Sequence, residues 1–374
     1  MRIALVGPTY PLRGGIAHYN ARLRQALDAA GHRVRLYGMT RQYPSLLFPG
    51  KRQDDVSEDP IRALAEPVVD SMGPVSWAQC YDKIRRFRPD GVAFQWWHPF
   101  FAPSFGTLAR LVRSSGAQPI FICHNVRPHE ATRIDDALLR YAYGGVDRFL
   151  VHAEEERERL NRLLAPRSLK VQVAPHPVYD VFEATGESRE AARAGLGLTA
   201  PHQLLFFGYV RHYKGLDILL DALGGIDLDF ELTVAGECYE DADAYRDQIQ
   251  RLGLSGRVRF LDRYVSNEEV PRLFRAADVC VLPYRHATQS GIVQVAYALD
   301  TPVIVTRVGG IPEVVADGVS GLLVPPEDSG ALAEAVRRYF SEQLRDRLVD
   351  GVRTQRAALG WNRIVEGLEA LVAS

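Results

Sequence analysis

Val279-Cys280-Val281-Leu282-Pro283, then Arg285-His286-Ala287-Thr288-Gln289-Ser290-Gly291-Ile292-Val293-Gln294-Val295-Ala296-Tyr297-Ala298, then Pro302-Val303-Ile304-Val305-Thr306: this run decides the fold. Its first and last pieces are short, unbroken apolar runs, the mark of strands buried on both faces. The middle piece opens a helix that ends near Asp300. Strand, helix and strand in that order make a βαβ unit with a parallel sheet. The Ser290-Gly291 turn at the helix start lies outside the carboxyl end of a strand. It aims backbone N–H groups and the positive helix end at one point, and a phosphate is the natural guest there.

Working outward, the same alternation runs through the chain. In the first half, strands are expected at Ile3–Gly7, Val34–Tyr37, Gly91–Trp97, Pro119–His124, Phe149–His152 and Leu169–Val173. Helices are expected at Ile16–Ala30, Trp77–Phe87, Pro103–Ser114, Asp135–Tyr143 and Glu154–Leu164. Residues 40–75 read as a long loop with room for one helix. Residues 175–190 hold Pro, Gly and polar residues and read as a linker. The pattern then restarts, with strands at Gln203–Gly208, Phe230–Gly236, Val258–Leu261 and Gly321–Val324 and a helix from Lys214. The expectation is α/β: two facing Rossmann-like, doubly wound domains with parallel sheets, 1–177 and 178 onward.

The bulk numbers fit that picture. The 374 residues favour two domains, each able to bury a core. Net charge is −1, but residues 1–178 hold 25 Lys/Arg against 17 Asp/Glu, and the remainder 20 against 29. A basic first half suits an anionic partner, such as a lipid surface or an acidic acceptor; solvated arginines on helix faces are the plain alternative. Cys80, Cys123, Cys238 and Cys280 are widely spaced, so they read as reduced thiols, without disulfide framework or zinc spacing. No run is long enough for a transmembrane helix, and the first strand is too brief for a signal-peptide core. The expected location is the cytoplasm, with contact at the inner membrane face. No feature points to nucleic acid.

The motifs, taken in order, resemble the family 4 retaining glycosyltransferases (glycosyl transferases group 1) of the GT-B fold, over nearly the whole chain. The resemblance rests on Gly14-Gly15 before the first helix, Lys214-Gly215 after a strand ending in glycine, and Ala277-Asp278-Val279. It rests also on Gly309-Gly310-Ile311-Pro312-Glu313-Val314-Val315, Asp317-Gly318 and Gly321-Leu322-Leu323-Val324-Pro325-Pro326. It implies transfer of a sugar from a nucleotide-diphosphate donor to a saccharide or lipid-linked saccharide, with retention, in polysaccharide biosynthesis. No cofactor and no metal are implied, and the leaving phosphate takes the acceptor's proton. It further implies that 358–374 packs back on an acceptor domain, 1–177, leaving 178–357 as the nucleotide-sugar donor domain.

Site residues follow from the chemistry and the resemblance together. Lys214 and Arg211, three residues apart beyond a strand-ending glycine, suit a diphosphate, as point charge and bidentate clamp; a solvated helix start is the plain alternative. The family has Arg where Tyr209 stands. Gly14 and Gly15 let backbone N–H groups approach a phosphate. The resemblance gives His124 a donor-sugar contact and gives His129 and Glu130 a part in shaping the acceptor side. Tyr264 and Val265, after Arg263, stand where the family reads the base. Ser290, Gly291 and Ile292 make the phosphate turn, and Gln289, Thr288 and Gln294 are polar neighbours placed to take over hydroxyl contacts. The family's two glutamates, eight residues apart, fall on Ala287 and Val295, or on Thr288 and Ala296, so neither acid is present. That absence supports a rival reading, a catalytically retired sugar-nucleotide-binding protein. A transferase with a sugar-phosphate acceptor and a peripheral membrane adaptor stay open beside it. The aromatic run Gln95-Trp96-Trp97-His98-Pro99-Phe100-Phe101 reads first as core packing and loop anchoring, and second as a sugar or lipid platform.

Overall fold

A computed structural model describes the chain except residues 45, 47, 49, 51, 129–131 and 183–185. Two compact units result: Met1–Val56, Pro60–Pro177 and Gly360–Ser374 form the first, and Ser57–Asp59 with Val178–Leu359 the second.

The first unit holds β1 (Arg2–Gly7), β2 (Arg33–Arg41), β3 (Glu66–Asp70), β4 (Gly91–Trp96), β5 (Gln118–Cys123), β6 (Arg148–Val151) and β7 (Lys170–Val173). They form one sheet in the order β3-β2-β1-β4-β5-β6-β7. All neighbours run parallel, with Ile3 beside Val34 on one side and Gly91 on the other. The apolar runs are continuous because helices cover both faces. These are α1 (Gly15–Ala29), α2 (Pro74–Phe87), α3 (Ala102–Ser114), α4 (Arg133–Tyr143) and α5 (Glu154–Leu164). Local chemistry sets their starts. Thr132 and Asp135 form a capping box for α4, and Glu154–Glu156 fill the first turn of α5, where the helix dipole favours acids. Trp96 stacks on Phe121 at 5.3 Å inside the core. Phe101 is buried as well, and Trp97 donates from Nε1 to Tyr43 Oη at 3.1 Å. The aromatic run is thus core and loop anchor.

The second unit holds α6 (Arg189–Leu196), β8 (His202–Phe207), α7 (Leu216–Gly224), β9 (Phe230–Ala235), α8 (Ala242–Arg251), β10 (Val258–Leu261), α9 (Glu269–Ala276) and β11 (Val279–Leu282). Then come α10 (Gly291–Ala298), β12 (Val303–Thr306), α11 (Ile311–Val314), β13 (Gly321–Val324), α12 (Ser329–Ser341) and α13 (Arg345–Ala358). Its sheet order is β10-β9-β8-β11-β12-β13. The last helix, α14 (Asn362–Ala373), belongs to the first unit and packs on β6, β7 and α1.

Three expectations need correction. The loop expected over 40–75 contains β3, and β2 runs on to Arg41. The expected linker is cut short by α6, whose Ser188 Oγ accepts from Ala191 N. The helix expected from Lys214 starts at Leu216, after a 3₁₀ turn at His212–Lys214. Among the described residues no helix is long and apolar enough to cross a membrane.

Candidate functional site

In each sheet the strand order reverses once, between β1 and β4 and between β8 and β11. Doubly wound sheets bind ligands outside the carboxyl ends of the strands at such points. Lys214, Ser290, Gly291 and Ile292 lie at the second of these points and Gly14 and Gly15 follow β1 at the first, while His124 follows β5, one strand beyond β4.

In the second unit, Lys214 closes the 3₁₀ turn that follows β8, and Gly215 after it is left-handed at φ 70°. A Cβ on Gly215 would stand 2.1 Å from the carbonyl oxygen of Pro283, so only glycine lets the turn lie against the end of β11. A Cβ on Gly208 would stand 2.8 Å from Lys214 Nζ and 3.2 Å from Ile292 Cδ1. Lys214 Nζ lies 5.7 Å from the centre of the Tyr284 ring. The Tyr284 hydroxyl shares a 3.0 Å hydrogen bond with Ser290 Oγ, which also accepts from Val293 N at 3.3 Å as the cap of α10. The fold therefore brings Gly208, Lys214, Ser290 and Ile292 together, with Gly291 beside Ser290.

The electrostatics of this pocket are unusual. Lys214 is 8% exposed. Among the described residues no carboxylate pairs with it. Burial above all, then the Arg211 charge, brings its ammonium down to about 8. A buried cation with no acid beside it is costly unless an anion arrives. Arg211 is half-buried, its guanidinium carbon 4.8 Å from the centre of the Tyr239 ring, and Tyr209 packs on Tyr239 at 4.7 Å.

Sequence reasoning missed two supports. Tyr284 joins Lys214 to the Ser290 cap. Arg285 forms a two-pronged pair with Asp217 at 2.6 and 2.9 Å, tying the loop after β11 to α7. Gln289 is half-buried, Val295 is buried in α10, and Gln294 is 2% exposed. Gly310 N donates to Thr288 O at 2.9 Å, so the Gly309-Gly310 loop packs on the start of this stretch. Tyr264, half-buried, and Val265, buried, follow β10, the edge strand two places from β8. Beside them Arg263 is paired with Glu269 at 2.5 and 2.7 Å.

In the first unit, Gly14 caps α1 at φ 112° with no side-chain hydrogen bond, and Gly15 is the first helical residue. Nothing would touch a Cβ on Gly14, so backbone conformation rather than space calls for glycine there. His124 follows β5. Its ring Nε2 lies 2.7 Å from Gln95 Oε1, and the Tyr19 ring meets it edge-on at 4.7 Å. The rings of His152 and His176 lie 5.5 and 6.3 Å away. Neither was expected in the site, although His152 follows an apolar strand just as His124 does. Among the described residues no group of three or more His, Cys, Asp or Glu could hold a metal ion. His129 and Glu130 lie outside the described residues.

The fold is GT-B: two Rossmann-like parallel-sheet units on one chain. It matches Anabaena Alr3699/HepE in complex with UDP-glucose with a TM-score of 0.77 at 15% identity, over 100% of both chains. Two family patterns match the sequence, Glycosyltransferase Family 4 over residues 13–180 and Glycosyl transferases group 1 over residues 201–342. The chain belongs to the family 4, group 1 glycosyltransferases. It is 36% identical over 202 residues to D-inositol 3-phosphate glycosyltransferase of Mycolicibacterium smegmatis, covering 53% of this chain and 46% of that one. It is 31% identical over 293 residues to the protein of that name from Thermobifida fusca, covering 75% and 65%. The matches thus span less than two thirds of either relative's length.

Proposed function

We propose that this protein is a retaining glycosyltransferase. It moves a sugar from a nucleoside-diphosphate donor to a saccharide or lipid-linked saccharide. One observation carries the reading: Lys214 is a buried cation at the switch point of the second sheet, with a capped helix start beside it and, among the described residues, no carboxylate paired with it. That arrangement favours a diphosphate. Lys214, Arg211 and the N–H groups of Gly291 and Ile292 stabilise the charge that grows on the leaving diphosphate, which takes the acceptor's proton. No metal is needed for this step. In the second unit Gln289 and Ser290 line the same turn, and Tyr264 and Val265 receive the base; in the first unit Gly14 and Gly15 offer backbone N–H groups to a phosphate, and His124 offers a ring nitrogen to a sugar hydroxyl.

The relatives' names make a cyclitol or sugar phosphate the first acceptor class to try beside saccharides. The basic first half suits an anionic acceptor or membrane headgroups. The test is nucleotide release from nucleoside-diphosphate sugars, with and without acceptors, in wild type and Lys214→Met. We expect release in wild type and a loss of at least about 100-fold in the variant. Equal rates in both would remove Lys214 from catalysis. The lack of an acid at Ala287 and Val295 favours a second reading, a retired binding protein. Nucleotide-sugar binding without any release would select it.

A further inference from the structure

The side chain that meets the sugar in this reading sits at the end of a hydrogen-bond chain whose direction is forced. Pro8 O can only accept, and it accepts from Asn20 Nδ2 at 3.1 Å. The Asn20 oxygen therefore faces Gln95, whose Nε2 donates to it at 3.1 Å. The Gln95 oxygen then faces His124, and the 2.7 Å contact to Nε2 is a bond in which the ring donates. The relay runs against the end of β1. A Cβ on Gly7 would stand 2.7 Å from Gln95 Cγ and 3.1 Å from Asn20 Nδ2, so Gly7 makes room for it.

The surroundings hold His124 neutral. Among the described residues, Tyr19 from α1, His152 after β6, His176 after β7 and Gln95 from β4 pack against its ring. His152 and His176 each donate from Nδ1 to a carbonyl, of Ala174 and Pro177, both at 2.9 Å, and both rings are buried. Burial, and then these two neighbouring imidazoles, push the His124 ring well below the ordinary histidine range.

We propose that Asn20, Gln95, His152 and His176 are positioning residues that lock His124 as the neutral Nε2–H tautomer. Any group that meets its other ring nitrogen then has to donate a hydrogen bond. His124 selects a sugar hydroxyl and turns away phosphate and carboxylate oxygens. This rests on the reading of His124 as a sugar contact, but its test does not depend on turnover.

The test is ring-nitrogen NMR of the full chain with ¹⁵N-labelled histidine, the His124 signals assigned by their loss in His124→Gln. We expect the neutral Nε2–H pattern across about pH 6 to 8, with no titration in that window. In Gln95→Glu a carboxylate faces the ring, and the titration midpoint should rise by at least about one pH unit. Gly7→Ala, which pushes on Gln95, should blur the tautomer. A wild-type ring that carries its proton on Nδ1, or titrates near the ordinary value of about 6.5, overturns the proposal. The wild-type spectrum needs no variant to fold. A locked tautomer in a protein that turns over no donor would sink the functional reading and leave this one standing; turnover with the other tautomer would do the reverse.

Discussion

Lys214 sets the chemistry at the scale of the single residue. Its ammonium falls to about 8 from 10.5, mainly through burial. Below about pH 8 it is charged in both the folded and unfolded chain, and the fold bears a penalty on the order of 3 kcal/mol. Between the two values the folded state loses its proton first, so stability rises with pH there. Diphosphate binding runs the other way, because the anion favours the charged form. Affinity for a nucleoside diphosphate should be highest below about pH 8 and fall by up to about tenfold per pH unit above it. Calorimetric titrations across that range check this, and a flat profile speaks against Lys214 as the anion's partner. Lys214 itself was legible in the sequence, as a cation beyond a strand-ending glycine. Tyr284 and His176 were not. Tyr284 meets Ser290 only because the loop after β11 turns back on the cap of α10, and His176 meets His124 only once the sheet of the first unit has folded.

At the scale of the element, the turn from β8 into α7 carries the site. Gly215 combines a left-handed backbone with a 2.1 Å approach to Pro283 O that no side chain survives. Gly215→Ala should cost about 2 kcal/mol or more and weaken nucleotide binding, since it moves Lys214 as well. Chemical denaturation measures the first effect; a stability within about 0.5 kcal/mol of wild type means the turn relaxes freely. The strongly apolar elements could be read directly, because β1, β5, β11 and β12 are continuous apolar runs. The misses have local causes. In β3 only Val68 and Val69 are buried, and the strand holds Pro67, tolerable because it is at the sheet edge. Its pairing with β2 shifts register at Gly38 and Met39, which breaks the alternation a reader looks for. Helix α6 is eight residues long, with Ala192 as its one buried residue, so its apolar stripe is too thin to stand out from a polar linker.

At the scale of the whole molecule, the chain's last helix belongs to the first unit. Trp361 lies 5.0 Å from Tyr19, Leu371 O accepts from Arg148 Nε at 2.9 Å, and Glu369 pairs with His32 at 2.8 Å. Ile364, Leu368 and Leu371 are buried. At roughly 1.5–3 kcal/mol for each such side chain, α14 supplies a share comparable to a domain's net stability. Deleting 361–374 should therefore unfold the first unit and spare the second. Hydrogen exchange reads this as protection lost over β1 to β7 and kept over β8 to β13. Uniform protection contradicts it.

The decisive measurement is a calorimetric titration of UDP, GDP and ADP into wild type and Lys214→Met. Wild type should bind one of them. Lys214→Met, still folded and with a raised melting temperature once the buried charge is gone, should bind it at least about tenfold more weakly. Undiminished binding by the variant, or no binding of any of the three by wild type, would contradict the claim that the second unit is built round a diphosphate.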